Sequence, residues 1–120
     1  MKKVLLIEDD LDTVAIVDII LQEEGFVVIN INWEIHVEEI AAIDPNMVIV
    51  DYLLPFMRGN DICAQIKSSP KTKDIPVILY SANYLASRVA KECNADAFMH
   101  KPLDINEFKE LIKRLAVGKK

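Results

Sequence analysis

The stretch Asn46-Met47-Val48-Ile49-Val50-Asp51-Tyr52-Leu53-Leu54-Pro55 runs four apolar residues without alternation into one carboxylate. A strand buried on both faces of a parallel sheet reads this way, because neither face needs polar residues. The run is too short to span a membrane, and Pro45 and Pro55 flank it, so strand is favoured over helix. Asp51 then stands at the strand's carboxyl end. In open α/β sheets that edge is where ligands bind and chemistry occurs. The remaining strands are therefore expected to bring partners to Asp51.

The chain of 120 residues suits one domain with one core, taken as 1–120. Its composition, 52% hydrophobic and 28% charged, is that of a folded rather than a disordered chain. The formal net charge of −5 disfavours direct nucleic-acid binding and attachment to anionic membranes. It suits protein partners and cations. Cys63 and Cys93 are far apart and in no metal-type spacing, so free cytosolic thiols are expected. Met1-Lys2-Lys3 precedes only four apolar residues before Glu8, too few for a signal peptide, and a cytoplasmic location is expected. No apolar run approaches the roughly 20 residues of a transmembrane helix.

Apolar runs at Val4–Ile7, Phe26–Ile31, Ile75–Tyr80 and Ala97–Met99 supply four more strands. Between them lie helical patterns. The first extends to about Glu24 and stops at Gly25, with Asp10 or Asp12 as its cap. Its apolar positions cover most of its circumference, leaving part for a partner or for self-association. The spacing of Trp33, Val37, Ile40 and Ala41 predicts a helix over 33–43, with Trp33 as its anchor. A third helix follows Arg58-Gly59-Asn60-Asp61 and breaks at Ser68-Ser69-Pro70. A fourth covers about 84–93 and ends at Asn94. The last is announced by Asp104-Ile105-Asn106-Glu107, which has the form of a capping box, and by Phe108, Leu111, Ile112 and Leu115 at helical spacing. Five strands alternating with five helices mean a doubly wound parallel sheet with helices on both faces.

The strand ends carry Glu8 and Asp9, then Asp51, Ser81 and Lys101. In the strand order 2-1-3-4-5 the first and third strands are neighbours, so three carboxylates converge at the switch point. Their mutual repulsion calls for a cation. Oxygen ligands without His or Cys suit Mg²⁺, which retains waters and binds phosphate oxygens. Ser81 offers a hydroxyl and Lys101 a fixed positive charge to an anion on Asp51. An aspartate can itself act as nucleophile and carry an acyl phosphate.

Glu8-Asp9, Asp51 with Leu54-Pro55, Gly59, Ser81-Ala82 and Lys101-Pro102 together resemble the receiver domains of two-component response regulators, in their single-domain, chemotaxis-type form. The resemblance covers essentially the whole chain. It implies a flavodoxin-like fold and a place in a His-Asp phosphorelay. Asp51 would accept a phosphoryl group from a histidine kinase or phosphotransfer protein. Glu8, Asp9, Asp51 and the backbone carbonyl of Leu53 would hold Mg²⁺, for which Mn²⁺ would substitute. Ser81 and Lys101 would contact the phosphoryl oxygens. Ser81 and Phe98 would form the switch, the Lys101-Pro102 peptide would be cis, and a downstream protein would bind the 84–117 face. No turnover of a separate substrate is expected.

Some positions depart from the commonest family pattern. Phe98 replaces a frequent tyrosine, and Asn94 stands where glycine is frequent. Leu53 and Asn83 occupy positions that tune dephosphorylation in the family. An apolar Leu53 cannot orient an attacking water, so a long-lived phosphorylated state is expected. Asp10, His36, His100, Cys63, Cys93 and Trp33 are read as structural. The alternatives are a receiver-like interaction domain that is never phosphorylated, a small phosphatase with Asp51 as nucleophile, and a flavin mononucleotide binder. The phosphatase would need a second aspartate where Leu53 stands. The flavin binder would need a phosphate loop in place of Glu8-Asp9-Asp10.

Overall fold

A computed structural model describes residues 2–83, 86–101 and 103–118. The strands are β1 (Lys3–Ile7), β2 (Val27–Ile31), β3 (Met47–Asp51), β4 (Val77–Ser81) and β5 (Ala97–His100). They alternate with α1 (Leu11–Glu23), α2 (Val37–Ile43), α3 (Gly59–Ser68), α4 (Ala86–Glu92) and α5 (Ile105–Gly118). All strands pair in parallel, in the order β2-β1-β3-β4-β5. β1 and β3 are therefore adjacent, and β3, from which the fold was read, is central and buried throughout.

Side chains alternate across each strand, so every strand feeds two separate cores. Leu5, Ile7, Val48, Val50, Val77 and Leu79 pack with Ile40, Ile62, Ile66 and Ala90 from α2, α3 and α4. Val4, Leu6, Met47, Ile49, Ile78 and Tyr80 pack with Val17, Ile20, Leu21, Phe108 and Ile112 from α1 and α5. The same parity carries Glu8, Asp51 and Tyr80 towards the α1 and α5 layer, and Ser81 towards the other.

Local chemistry sets the helix ends. Asp10 caps α1, its Oδ2 accepting from the Thr13 amide at 3.2 Å. Gly25 takes a φ of 87° just beyond that helix, in the left-handed region glycine tolerates. Asn94 (φ 63°) and Asp44 (φ 51°) also adopt this conformation, which short polar side chains support. The Glu107 amide donates to Asp104 Oδ1 at 2.9 Å at the start of α5. On α5, Phe108, Leu111 and Ile112 are buried and Leu115 packs on the same cluster, as their spacing requires.

The 33–43 helix is shorter than its periodicity suggested. α2 starts at Val37, after His36, whose amide donates to Glu39 Oε1 at 3.2 Å. Trp33 lies outside the helix and is 53% exposed, and Ile35 is buried in its place. An aromatic at helical spacing is equally well placed in the extended approach to a helix, and here the cap decided which. Tyr84, Leu85 and Pro102 lie outside the described residues, and with them the start predicted for the fourth helix and the Lys101-Pro102 cis peptide.

Candidate functional site

The carboxyl edge of the sheet gathers four of the charged groups that the sequence placed at strand ends. One ligand oxygen from each of Glu8, Asp9 and Asp51 lies within 4.8 Å of the others. Lys101 Nζ stands 3.0 Å from Asp51 Oδ2 and 3.1 Å from Glu8 Oε1, bridging the ends of β1 and β3 from β5. Glu8 is fully buried and Asp51 is 7% exposed, whereas Asp9 faces solvent.

Glu8 is saturated with donors. Its Oε1 accepts from the Tyr80 hydroxyl at 2.5 Å as well as from Lys101. Its Oε2 accepts from the backbone amides of Asp9 and Asp10 at 3.0 and 3.3 Å. Burial acts to raise its pKa, but Tyr80, Lys101 and the Asp10 amide outweigh burial and hold the carboxyl below the ordinary glutamate range. Asp51 goes the other way. Burial, with the charge of Glu8 adding to it, pushes Asp51 up to about 6 against the pull of Lys101. Desolvation and the neighbouring Glu8 likewise raise Asp9. Burial works to lower the pKa of Lys101, but Asp51 and Glu8 together raise it, so the ammonium stays charged.

This donor set fits a hard divalent cation. Three carboxylates facing one ammonium leave a formal excess of two negative charges, which one divalent ion would cancel. All the side-chain ligands are oxygens, and the exposed Asp9 leaves room for water, as Mg²⁺ prefers. The Asp51 loop is firmly built. The Leu53 amide donates to Asp51 Oδ1 at 3.3 Å, and Leu53 forms an antiparallel bridge with Arg58. Gly59 then passes so close that a Cβ there would lie 2.0 Å from the Asp51 carbonyl oxygen.

Of the other predicted residues, Leu53 and Ser81 are tied to this cluster through their backbones. Ser81 is buried, and its Oγ accepts from the Asn83 amide at 3.0 Å. The Lys101 amide donates to the Ser81 carbonyl at 2.9 Å, tying the ends of β4 and β5 together. Phe98 is half-buried against the α2–α4 core, with its ring edge-on to His100 at 6.4 Å. Leu53 is 56% exposed beside Asp51. Asp10 is spent on its cap, and Cys63 and Cys93 are buried free thiols.

Tyr80 was missed by sequence reasoning, which treated it as one more apolar strand residue. A signal was present: Tyr80 precedes Ser81, so alternation places it on the same face as Glu8 and Asp51. It is also paired in register with Asp51. Burial and the charge of Glu8 push its phenol far above the usual range, so it remains a donor.

Residues 4–113 match the model of the response regulator receiver domain family. The chain belongs to this family. Among curated proteins, this receiver domain is 28% identical over 116 residues to the two-component response regulator ORR5 of Oryza sativa subsp. japonica, covering 93% of this chain and 87% of that one. It is 36% identical over 75 residues to ORR4 of Oryza sativa subsp. indica, covering 61% of this chain but only 32% of that relative. Among solved structures it resembles the signal receiver domain of a signal transduction histidine kinase from Syntrophus aciditrophicus. There the TM-score is 0.84 and the identity 28%, covering 100% of this chain and 93% of that one. Receiver domains of two-component systems act as phosphoacceptors and interact with histidine kinases. Among the described residues, no helix is long and apolar enough to cross a membrane.

Proposed function

We propose that this receiver domain, spanning 1–120, is phosphorylated on Asp51 in a Mg²⁺-dependent step and thereby switches its binding to other proteins. The observation that carries this reading is the buried Asp51 carboxyl, joined to Lys101 at 3.0 Å and clustered with Glu8 and Asp9. An Asp51 oxygen attacks the phosphorus of a phosphohistidine, forming the acyl-phosphate O–P bond as the N–P bond to the imidazole breaks. Glu8, Asp9, Asp51 and the Leu53 carbonyl would hold Mg²⁺, or Mn²⁺ in its place. The ion would neutralise charge on the phosphoryl oxygens in transfer. Lys101 supplies a fixed counter-charge to the same oxygens, and Ser81 would turn its hydroxyl from Asn83 towards them. Phe98, half-buried at the α4–β5–α5 surface, would then repack, altering the 84–117 face for a downstream protein. Leu53 offers no acid or base, so the module would hold its phosphoryl group rather than turn over substrate.

The phosphodonor has a place to dock. Leu11, Ile16 and Ile19 leave an exposed apolar strip on α1 beside the acidic edge. A cavity of about 380 Å³ lined by Thr13, Ile16, Val17, Ala82, Lys101 and Leu103 reaches from that strip to the lysine. This arrangement suits the helix of a histidine kinase or phosphotransfer protein.

The test is incubation with acetyl phosphate and Mg²⁺, followed by intact-mass measurement. One phosphoryl adduct is expected, lost on chelation of the metal and in Asp51→Asn. An unmodified protein with every small phosphodonor would refute the reading.

A further inference from the structure

Tyr80 is one of the largest fully buried side chains in the molecule, at 1% exposure. Its ring belongs to the core between the sheet and α1 and α5, yet its hydroxyl ends on Glu8 Oε1. A buried phenol needs a partner, and a main-chain carbonyl would satisfy it equally well. Instead Tyr80 meets both halves of one ion pair. The hydroxyl bonds Glu8, while Lys101 Nζ sits 4.7 Å from the centre of the ring, within cation–π range.

Lys101 is shared between two carboxylates at nearly equal distances, 3.1 Å to Glu8 and 3.0 Å to Asp51. Only the arm towards Asp51 serves a phosphoryl group there. Glu8 is completely buried, so any oxygen of its carboxylate without a donor draws the nearest one. The donors to its Oε1 are Tyr80 and Lys101, and Oε2 is already occupied by two backbone amides.

We infer that Tyr80 is a positioning residue for phosphoryl transfer: its hydroxyl occupies Glu8 and its ring backs the Lys101 ammonium, which keeps Lys101 extended towards Asp51. Without the hydroxyl, Lys101 settles onto Glu8 and the phosphoryl oxygens lose their counter-charge. This inference rests on the reading of Asp51 as phosphoacceptor. Tyr80 touches Glu8, one of the groups that would hold Mg²⁺, and Lys101, and it acts through these two.

Tyr80→Phe removes one oxygen and keeps the ring. Its rate of phosphorylation by acetyl phosphate in saturating Mg²⁺ is expected to fall about tenfold to a hundredfold, the effect of one hydrogen bond to a charged group. The affinity for Mg²⁺ alone, measured by calorimetry, is expected to stay within about twofold, because the direct ligands are intact. The decisive comparison is a double-mutant cycle with Glu8→Gln, run at Mg²⁺ concentrations that saturate that variant, because Glu8 is itself one of the groups that would hold the ion. In that background, where no carboxylate competes for Lys101, Tyr80→Phe is expected to change the rate less than about twofold. A Tyr80→Phe rate equal to or above that of the parent would overturn the inference. So would the same loss in both backgrounds, which would mean a general packing effect. If the parent itself accepts no phosphoryl group, the phosphoacceptor reading fails and this inference falls with it. If the parent is phosphorylated and Tyr80→Phe is neutral, the inference alone fails.

Discussion

Replacing Asp51 by Asn should make the metal-free protein more stable near neutral pH. Asp51 is 7% exposed, and its carboxyl is pushed up to about 6, chiefly by burial and then by the charge of Glu8. An unfolded aspartate titrates near 3.8, so the folded form binds more protons between these two values. Stability is therefore lost as pH rises from about 4 to about 6, and above that range the full cost of a buried, crowded carboxylate is present. Two pKa units correspond to about 3 kcal/mol as a ceiling. Asn keeps the shape and an acceptor for Lys101, but it gives up the ionic part of that contact. A net gain of about 1–2 kcal/mol is expected, or a rise in Tm of about 4–8 °C for a domain of this size. The assay is thermal unfolding by circular dichroism with a chelator present, comparing parent and variant across the pH range. The advantage of the variant should be complete at about pH 7.5 and vanish at about pH 4, where the parent's Asp51 is protonated. Added Mg²⁺ should erase the difference, because the ion binds the folded parent more tightly than a variant lacking one carboxylate. A variant no more stable than the parent at neutral pH would refute this account of the charge cluster. An advantage that grew on acidification would refute it too.

Two further outcomes are expected around the same loop. Leu53→Asn places an amide beside Asp51 that can orient a water, so the phosphoryl adduct, timed by intact mass after donor removal, should decay severalfold faster than in the parent. An adduct that persists longer would count against the role given to Leu53. Gly59→Ala should cost about 2 kcal/mol or more in urea unfolding, because its Cβ would stand 2.0 Å from the Asp51 carbonyl oxygen and 3.0 Å from the Tyr52 Cα. A loss well under 1 kcal/mol would mean that the loop from Asp51 to Gly59 yields more freely than its contacts indicate.

Much of this was legible in the chain. The buried run ending at Asp51 marks a parallel strand, since only a strand covered on both faces can be apolar at every position. Acids and a lysine at the ends of other apolar runs then share one edge, because parallel strands all point the same way. The cap of α1 was also readable, because Asp10 satisfies a need local to its own turn. Trp33 was not, since spacing alone does not say whether an aromatic lies in a helix or in the extended chain leading to it.

The apolar runs and their order along the chain were enough to set the edge on which the charges gather and to put Glu8, Asp9, Asp51 and Lys101 at strand ends. Those follow from periodicity and chain direction, which are properties of neighbouring residues. The packed fold settled how the charges are divided. It placed Lys101 between two carboxylates, left Glu8 ionised and Asp51 raised, and sent the Tyr80 hydroxyl across the sheet to Glu8. Titration and hydrogen bonding depend on burial and on contacts spanning 50 to 93 residues of sequence, and those distances exist only once the sheet has formed.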